Sequence, residues 1–145
     1  MIDTREITKK SGPIRILVVD DNVDAADSVA WLFRQHAHDV RTTHDGRSAI
    51  ELATEFRPQV VVLDLGLPQV DGYEVSRRLR TLPDTRDALI IAVSGYGQDE
   101  DRRRSTQAGF DHHFIKPVDF QTLMGVLHEA ENNRSPDEEL EGVES

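Results

Sequence analysis

Short apolar runs alternate with amphipathic stretches along most of the chain. The clearest apolar runs are Ile14–Val19, Val60–Leu63 and Leu89–Val93, and weaker ones are Asp39–Thr43 and His112–Ile115. Between these runs, apolar residues recur three and four positions apart, which is the period of an amphipathic helix. The pattern therefore predicts strands and helices in strict alternation, with five of each.

Capping residues and helix breakers lie where this pattern places the helix ends. Asp45, Asp71 and Asp119 each precede an amphipathic stretch, which is typical of N-cap residues. Pro83 follows the third helical stretch and predicts its end. Trp31 lies within the first predicted helix, and we expect its ring in the core rather than at a ligand.

The alternation indicates an α/β fold, with a parallel sheet covered by helices on both faces. The first, third and fourth strands are apolar throughout, as strands buried on both faces must be. The second and fifth strands mix polar and apolar residues, as edge strands do. These compositions predict a flavodoxin-like, doubly wound (βα)5 sheet in the order 2-1-3-4-5. Ligands of such a sheet bind between strands one and three, beyond their carboxyl ends.

Composition limits the classes of function that such a fold could serve. The chain has 145 residues, a formal net charge of -10 and a pI of about 4.9. We expect it to bind neither nucleic acid nor an anionic membrane, because both interactions depend on Lys and Arg. It has no cysteine, which excludes disulfides and thiolate chemistry. No stretch resembles a signal peptide or a membrane span, so we expect a cytoplasmic protein.

The two ends of the chain differ in composition from its centre. Residues 1–13 are polar and predict a flexible lead, residues 14–132 form the predicted domain, and residues 133–145 form an acidic tail. The tail has few aliphatic residues to bury, so we expect disorder, with an acidic interaction tail as the alternative. Because only this tail follows the predicted domain, we expect no DNA-binding output domain and an output through protein contacts.

Residues with functional chemistry follow the predicted strands. Asp20 and Asp21 end strand one, and Asp64 ends strand three. Ser94 ends strand four, and Lys116 ends strand five. Because the carboxyl ends of parallel strands meet at one edge of the sheet, the three carboxylates are expected close together. A cation would relieve their repulsion, and an all-oxygen site favours Mg²⁺ or Mn²⁺ over zinc. A carboxylate beside such a metal can attack a phosphoryl group and form an aspartyl phosphate.

Four stretches of the chain together resemble one family. They are LVVDDN at 17–22, VVLDLGLPQVDGYEV at 61–75, AVSGYG at 92–97 and FIKPVD at 114–119. In order and spacing they resemble the receiver domain of two-component response regulators, over about Ile14 to Ala130. The motifs are most similar to those of receivers attached to hybrid histidine kinases and of their stand-alone relatives.

The resemblance implies a phosphoryl acceptor and a magnesium site. Asp64 is the implied acceptor and also a ligand of Mg²⁺. Asp21 would bind the metal directly and Asp20 mainly through water. The backbone carbonyl of Gly66 would complete the protein ligands. The implied activity is the chain's own phosphorylation and dephosphorylation at Asp64, rather than turnover of a free substrate.

The resemblance also implies residues that respond to the phosphoryl group. Lys116 would pair with the group, and Ser94 would hold one of its oxygens and move on activation. A cis peptide is expected before Pro117. The family usually has Tyr or Phe three residues before the lysine, whereas this chain has His113. His113 is therefore a switch candidate that swings inward or titrates near neutral pH, or else an exposed histidine on an edge strand.

The implied partners follow from this chemistry. A sensor histidine kinase or a histidine phosphotransfer protein would donate the phosphoryl group. A downstream protein would bind the face made by helix four, strand five and helix five. The fourth helix is predicted over 97–107, and a phosphorylation-dependent dimer is a further candidate assembly.

Two other classes of function stay open from the residues alone. A phosphohydrolase of the haloacid dehalogenase type also uses an acceptor aspartate. It generally needs a second aspartate two residues on, where this chain has Gly66. The other class is a binding module that is never phosphorylated, and the intact set of Asp20, Asp21 and Asp64 argues against it.

Overall fold

The computed structural model describes residues 12–95, 108–129 and 131. Its centre is one parallel sheet with the strand order β2-β1-β3-β4-β5, which is the predicted order. Strands β2 and β5 therefore lie at the two edges. The strands are β1 (Arg15–Val19), β2 (Asp39–Thr43), β3 (Val60–Asp64), β4 (Leu89–Ser94) and β5 (His112–Ile115).

Helices cover both faces of this sheet. The fourth predicted helix, at 97–107, lies outside the described residues, as do the acidic tail at 133–145 and most of the predicted lead. The last described helix, α4, therefore corresponds to the fifth helix of the prediction. No helix in the described ranges is long and apolar enough to cross a bilayer. The described helices are α1 (Val23–Gln35), α2 (Gly46–Phe56), α3 (Gly72–Thr81) and α4 (120–129).

Side chains just before the helices determine where each helix begins. The predicted N-caps are confirmed, because Asp45, Asp71 and Asp119 each accept a hydrogen bond from the amide three residues on, at 2.8, 3.0 and 2.8 Å. Asn22 caps α1 in the same way at 3.0 Å, which the prediction missed. Each cap satisfies one of the amides that the first turn of a helix leaves unpaired.

The core consists of two layers, one on each side of the sheet. Alternate residues of β1 enter different layers, as the period of a strand requires. Ile16 and Val18 pack with Phe33 of α1, whereas Leu17 and Val19 pack with α2 and α3. Every residue of β3 is buried, but β2 and β5 are covered far less completely. The predicted division into central and edge strands is therefore confirmed.

Trp31 is the exception to the predicted core, because its side chain is 59% exposed. α1 turns Ala26, Ala30 and Phe33 toward the sheet, and all three are fully buried. Trp31 follows Ala30 by one position, and a helix rotates by about 100° per residue, which carries Trp31 off the buried face. The prediction of a core position for Trp31 is therefore wrong.

Candidate functional site

Three aspartates lie together where β1 and β3 end. Asp20 and Asp21 follow β1, and Asp64 is the last residue of the neighbouring strand β3. One carboxylate oxygen from each residue lies within 4.8 Å of the others. Asp64 is buried, Asp20 is half-buried and Asp21 is exposed, so the group opens to solvent on one side. The predicted gathering of these carboxylates at one edge of the sheet is confirmed.

Lys116 places a positive charge against this acidic group. Its ammonium donates a 3.0 Å hydrogen bond to Asp64 Oδ2 and lies 4.0 Å from Asp20 Oδ2. Its amide donates to the carbonyl of Ser94 at 2.8 Å, which ties the end of β5 to the end of β4. The peptide between Lys116 and Pro117 is cis, as predicted.

The charged groups of the site change one another's proton affinity. Burial raises the pKa of the Asp20 carboxyl; the hydrogen bond from the Asn22 amide opposes this increase, and the charge of Asp64 adds to it. Burial acts to lower the pKa of Lys116, but the hydrogen bond and charge of Asp64 act against burial. With contributions from Asp20 and Asp21, the net effect is that the pKa of Lys116 is raised. Raised pKa values of both Asp20 and Lys116 are typical of a site where several carboxylates crowd together, because such a site favours bound protons and positive charge.

Ser94, the last residue of β4, is buried and bonds to a histidine of β5. Its Oγ lies 2.7 Å from Nε2 of His113. His113 is half-buried, and its ring is edge-on to that of Phe110 with the centroids 6.4 Å apart. The alternative of a merely exposed edge-strand histidine is therefore wrong. The adjacent His112 faces the other side of the sheet, where its Nε2 lies 2.9 Å from Glu129 Oε1.

The loop from β3 to α3 is shaped around Asp64. The amide of Gly66 donates to Asp64 Oδ1 at 2.9 Å and so orients the carboxylate. α3 begins in close contact with the end of β3, because a Cβ on Gly72 would lie 2.8 Å from Leu65 Cα and 2.9 Å from the Asp64 carbonyl oxygen. Only glycine fits at this helix start, and the close approach holds α3 against the residue that carries the acidic group.

Two neighbours of Asp20 were not among the predicted site residues. The amide of Asn22 donates to Asp20 Oδ1 at 2.9 Å, and Nδ1 of His44 lies 3.0 Å from the Asp20 carbonyl oxygen. An asparagine just before a helical stretch is a capping signal, so the role of Asn22 could have been recognised. The contact of His44 depends on the packing of β1 beside β2, which has no signature in the local sequence.

Comparison with known proteins assigns the chain to a family. The family model for the response regulator receiver domain matches residues 16–128, which include the acidic group and Lys116. The chain therefore belongs to the response regulator receiver family, whose members act in two-component signal transduction. The resemblance of the four sequence stretches is confirmed.

Two relatives of similar identity differ in length. An uncharacterized 14.6 kDa protein of Leptolyngbya boryana is 33% identical over 114 residues, which cover 79% of this chain and 87% of that protein. The DNA-binding dual master transcriptional regulator RpaA of Synechocystis is 33% identical over 110 residues, which cover 76% of this chain and 46% of the regulator. The chain thus spans less than half the length of that regulator.

A solved receiver structure agrees with the fold. The receiver domain of a sensor histidine kinase from Pseudomonas aeruginosa superposes with a TM-score of 0.75 and 27% identity, over 83% of this chain and 99% of that domain. That structure has a magnesium ion coordinated in its active-site cleft. Because nearly all of that domain superposes on this chain, the comparison confirms the predicted receiver fold.

Proposed function

We propose that this chain is a phosphorylation switch in which Asp64 accepts a phosphoryl group from a sensor histidine kinase or a histidine phosphotransfer protein. The observation that carries the proposal is the surroundings of Asp64. Carboxylate oxygens of Asp20 and Asp21 lie within 4.8 Å, and the ammonium of Lys116 lies at 3.0 Å. Membership of the receiver family supports the same reaction and the same class of donor. The chain then catalyses only its own phosphorylation and dephosphorylation.

Mg²⁺ is the proposed metal of the acidic group. Every side-chain donor in the group is a carboxylate oxygen, which is the kind of ligand that Mg²⁺ prefers. Burial raises the pKa of Asp20 and the charge of Asp64 raises it further, which is the repulsion that a divalent cation relieves. Asp20, Asp21 and Asp64, with the backbone carbonyl of Gly66, would hold the ion. When bound, Mg²⁺ would supply positive charge for the phosphoryl oxygens.

The proposed transfer uses Asp64 as the nucleophile. One carboxylate oxygen attacks phosphorus in line, the bond from phosphorus to the donor's histidine nitrogen breaks, and the electron pair leaves with the imidazole. The amide of Gly66, which donates a 2.9 Å hydrogen bond to Asp64 Oδ1, would keep the carboxylate oriented during the attack. Lys116, already bonded to Oδ2, would pair with one phosphoryl oxygen, and the hydroxyl of Ser94 would donate to another.

Phosphorylation in this proposal alters a protein-binding surface. Ser94 and His113, whose Oγ and Nε2 atoms are 2.7 Å apart, form the proposed switch. β5 continues from His113 to Ile115, whose side chain is 45% exposed. The proposed binding surface is the face predicted from helix four, strand five and helix five, of which β5 and α4 lie within the described residues. A downstream protein, or a second copy of the chain, would bind there.

A free phosphohydrolase receives no support from the site. Such an enzyme needs a general acid to protonate the group that leaves the substrate. The residue two positions after Asp64 is Gly66, which has no side chain to donate a proton. The proposal of a switch therefore stands without a second candidate.

Intact mass after incubation with Mg²⁺ and acetyl phosphate tests the proposal. We expect a gain of one phosphoryl group that requires Mg²⁺ and is absent from Asp64→Asn. The matched control is Asp87→Asn, at an exposed aspartate, which should be labelled like the unaltered chain. A gain that persists in Asp64→Asn would overturn the choice of acceptor.

If the unaltered chain shows no gain, a Mg²⁺ titration separates two explanations. A receiver that accepts only from its protein donor should still bind the metal through the acidic group. A module without a working site should not bind it, and this result would overturn the proposed function.

A further inference from the structure

The hydrogen bond between Ser94 and His113 ties the hydroxyl of the proposed site to a titratable ring. Ser94 is only 4% exposed, and within the described residues His113 Nε2 is the hydrogen-bond partner of its Oγ, at 2.7 Å. In the β4–β5 ladder Ala92 pairs with His113 and Ser94 with Ile115. Ser94 and His113 therefore face the same side of the sheet, with His113 two residues before Ile115, the partner of Ser94.

The two groups differ in what they can offer. A serine hydroxyl has one proton and two lone pairs, so it donates to one acceptor at a time. The Nε2 atom of an imidazole accepts a hydrogen bond when it lacks a proton and donates one when it carries a proton. A phosphoryl group on Asp64 would present only acceptor oxygens. It would therefore compete with an unprotonated Nε2 of His113 for the single proton of Ser94.

We propose that the hydrogen bond between Ser94 and His113 reverses on phosphorylation. In the unphosphorylated chain the Ser94 hydroxyl donates to Nε2 of His113. In the phosphorylated chain the hydroxyl donates to a phosphoryl oxygen, and Nε2, now carrying a proton received through solvent, donates to Ser94 Oγ. This inference rests on the proposed function of Asp64, and it makes His113 a positioning residue for Ser94.

The surroundings of His113 favour such a role over simple space filling. Its ring is half-buried and lies edge-on to the ring of Phe110, at 6.4 Å between centroids. The ring of Phe110 in turn packs on that of Tyr73 in α3, at 5.6 Å. A phenyl ring at position 113 could fill the same space, but it could neither accept the proton of Ser94 nor return one. The imidazole thus stabilises one resting position of the hydroxyl, which a phosphoryl group must displace.

Nitrogen-15 NMR of the histidine rings in the unaltered full chain tests whether the hydrogen bond between Ser94 and His113 reverses. The chain has six histidines, and the resonances of His113 are assigned by their absence from His113→Gln. The probe is beryllofluoride with Mg²⁺, which binds a carboxylate as a mimic of the phosphoryl group. We expect the Nε2 shift of His113 to move from the range of an unprotonated ring nitrogen to that of a protonated one. His36, which directly follows α1, and His128, which lies on α4, have no contact with Ser94 among the described residues and should be unaffected.

A variant series separates positioning from packing. His113→Phe keeps a ring but releases the hydroxyl, so labelling of Asp64 by subsaturating acetyl phosphate should be about 3- to 10-fold faster, as expected for one competing hydrogen bond. His113→Gln, whose amide both accepts and donates, should stay within about twofold of the unaltered chain. In a Ser94→Ala background the effect of His113→Phe should vanish, because the bond is already absent. An equal effect of His113→Phe in both backgrounds would overturn the proposal.

The outcomes also separate this proposal from the function on which it rests. If beryllofluoride forms no adduct with the chain in the presence of Mg²⁺, the proposed function and the reversal both fail. If mass spectrometry shows the adduct while the Nε2 shift of His113 stays unchanged, the reversal alone fails. An adduct accompanied by protonation of Nε2 is the result that we expect.

Discussion

The ammonium of Lys116 donates a hydrogen bond of 3.0 Å to Asp64 Oδ2, although 52 positions separate the two residues in the chain. The contact requires β5 to lie beside β4 and β4 beside β3, so it forms only when the sheet is assembled. It places a fixed positive charge where negative charge would develop during phosphoryl transfer. The pair therefore joins the fold to the proposed reaction.

Replacing Lys116 by methionine should slow phosphorylation of Asp64 by about 100-fold, which is typical for the loss of one fixed donor to a developing charge. Mg²⁺ binding should persist and strengthen, because the carboxylates remain and a competing cation has gone. Lys116→Arg keeps the charge and should lose less. Rates of mass gain with acetyl phosphate and calorimetric Mg²⁺ titrations measure both effects. A parallel loss of metal binding would show instead that the substitution damages the acidic group.

Lowering the pH should weaken Mg²⁺ binding. The loss of affinity should begin at a higher pH than it would at a site whose aspartates have ordinary pKa values. Burial, together with the charge of Asp64, raises the pKa of Asp20, and a protonated carboxyl is a poor ligand. Without metal, the native state binds this proton more tightly than the unfolded state does. The contribution of Asp20 to the unfolding free energy therefore rises as the pH falls through its raised pKa.

Metal titrations at a series of pH values, from about pH 7 down to the ordinary aspartate pKa of about 3.9, measure this dependence. Asp20→Asn cannot titrate and should move the midpoint of the affinity loss to lower pH. An unchanged midpoint in Asp20→Asn would show that another carboxyl controls metal binding.

His38 should make the chain less stable in acid, which is the opposite sense to Asp20. Burial lowers the pKa of His38 from 6.5, and the charges of His36 and His128 lower it further. Its Nδ1 accepts a 3.1 Å hydrogen bond from the amide of Ile14, which a proton on that atom would break. The unfolded chain takes up the proton at the ordinary pKa, whereas the folded chain resists it. This stabilisation is therefore complete above pH 6.5 and is lost as the pH falls below that value.

Urea unfolding at about pH 7.5 and about pH 5.5, on either side of the ordinary histidine pKa, measures the effect. His38→Asn places an amide oxygen near the position of Nδ1 and cannot titrate in this range. It should lose less unfolding free energy between the two pH values than the unaltered chain. Equal losses in both proteins would assign the acid sensitivity to other groups.

The strand order could be predicted because burial on two faces leaves a readable composition. β3 has only apolar residues before Asp64, whereas Val40 is the single apolar residue of β2, so the central and edge strands differ in the sequence itself. The N-caps at Asp45 and Asp71 could be predicted for a related reason, because their partners lie only three residues away. The position of Trp31 could not be predicted, because an apolar residue at the edge of a helix's buried face can either be buried or face solvent.

The residues of the site could be predicted only where they lie at the carboxyl ends of the strands. Topology alone brings Asp20 and Asp64 to one edge, because their strands are neighbours. The bond between Ser94 and His113 depends in addition on the register of β4 against β5, in which Ser94 pairs with Ile115. A shift of one residue would turn His113 to the opposite face. No local pattern specifies that register, so the contact emerges only from the packed structure.

Alanine at Gly72 should damage the site through the backbone. A Cβ there would lie 2.8 Å from Leu65 Cα and 2.9 Å from the Asp64 carbonyl oxygen, and backbone atoms cannot turn aside. We expect Gly72→Ala to lower the unfolding free energy by about 1–3 kcal/mol, as overpacking does, and to slow labelling of Asp64.

The matched control is Gly125→Ala in α4, where a Cβ meets nothing within 4 Å. Because alanine is the better helix former, this control should stabilise the chain by up to about 1 kcal/mol. Urea unfolding and acetyl phosphate labelling measure both variants. Normal labelling of Gly72→Ala would mean that the close approach of α3 does not position Asp64.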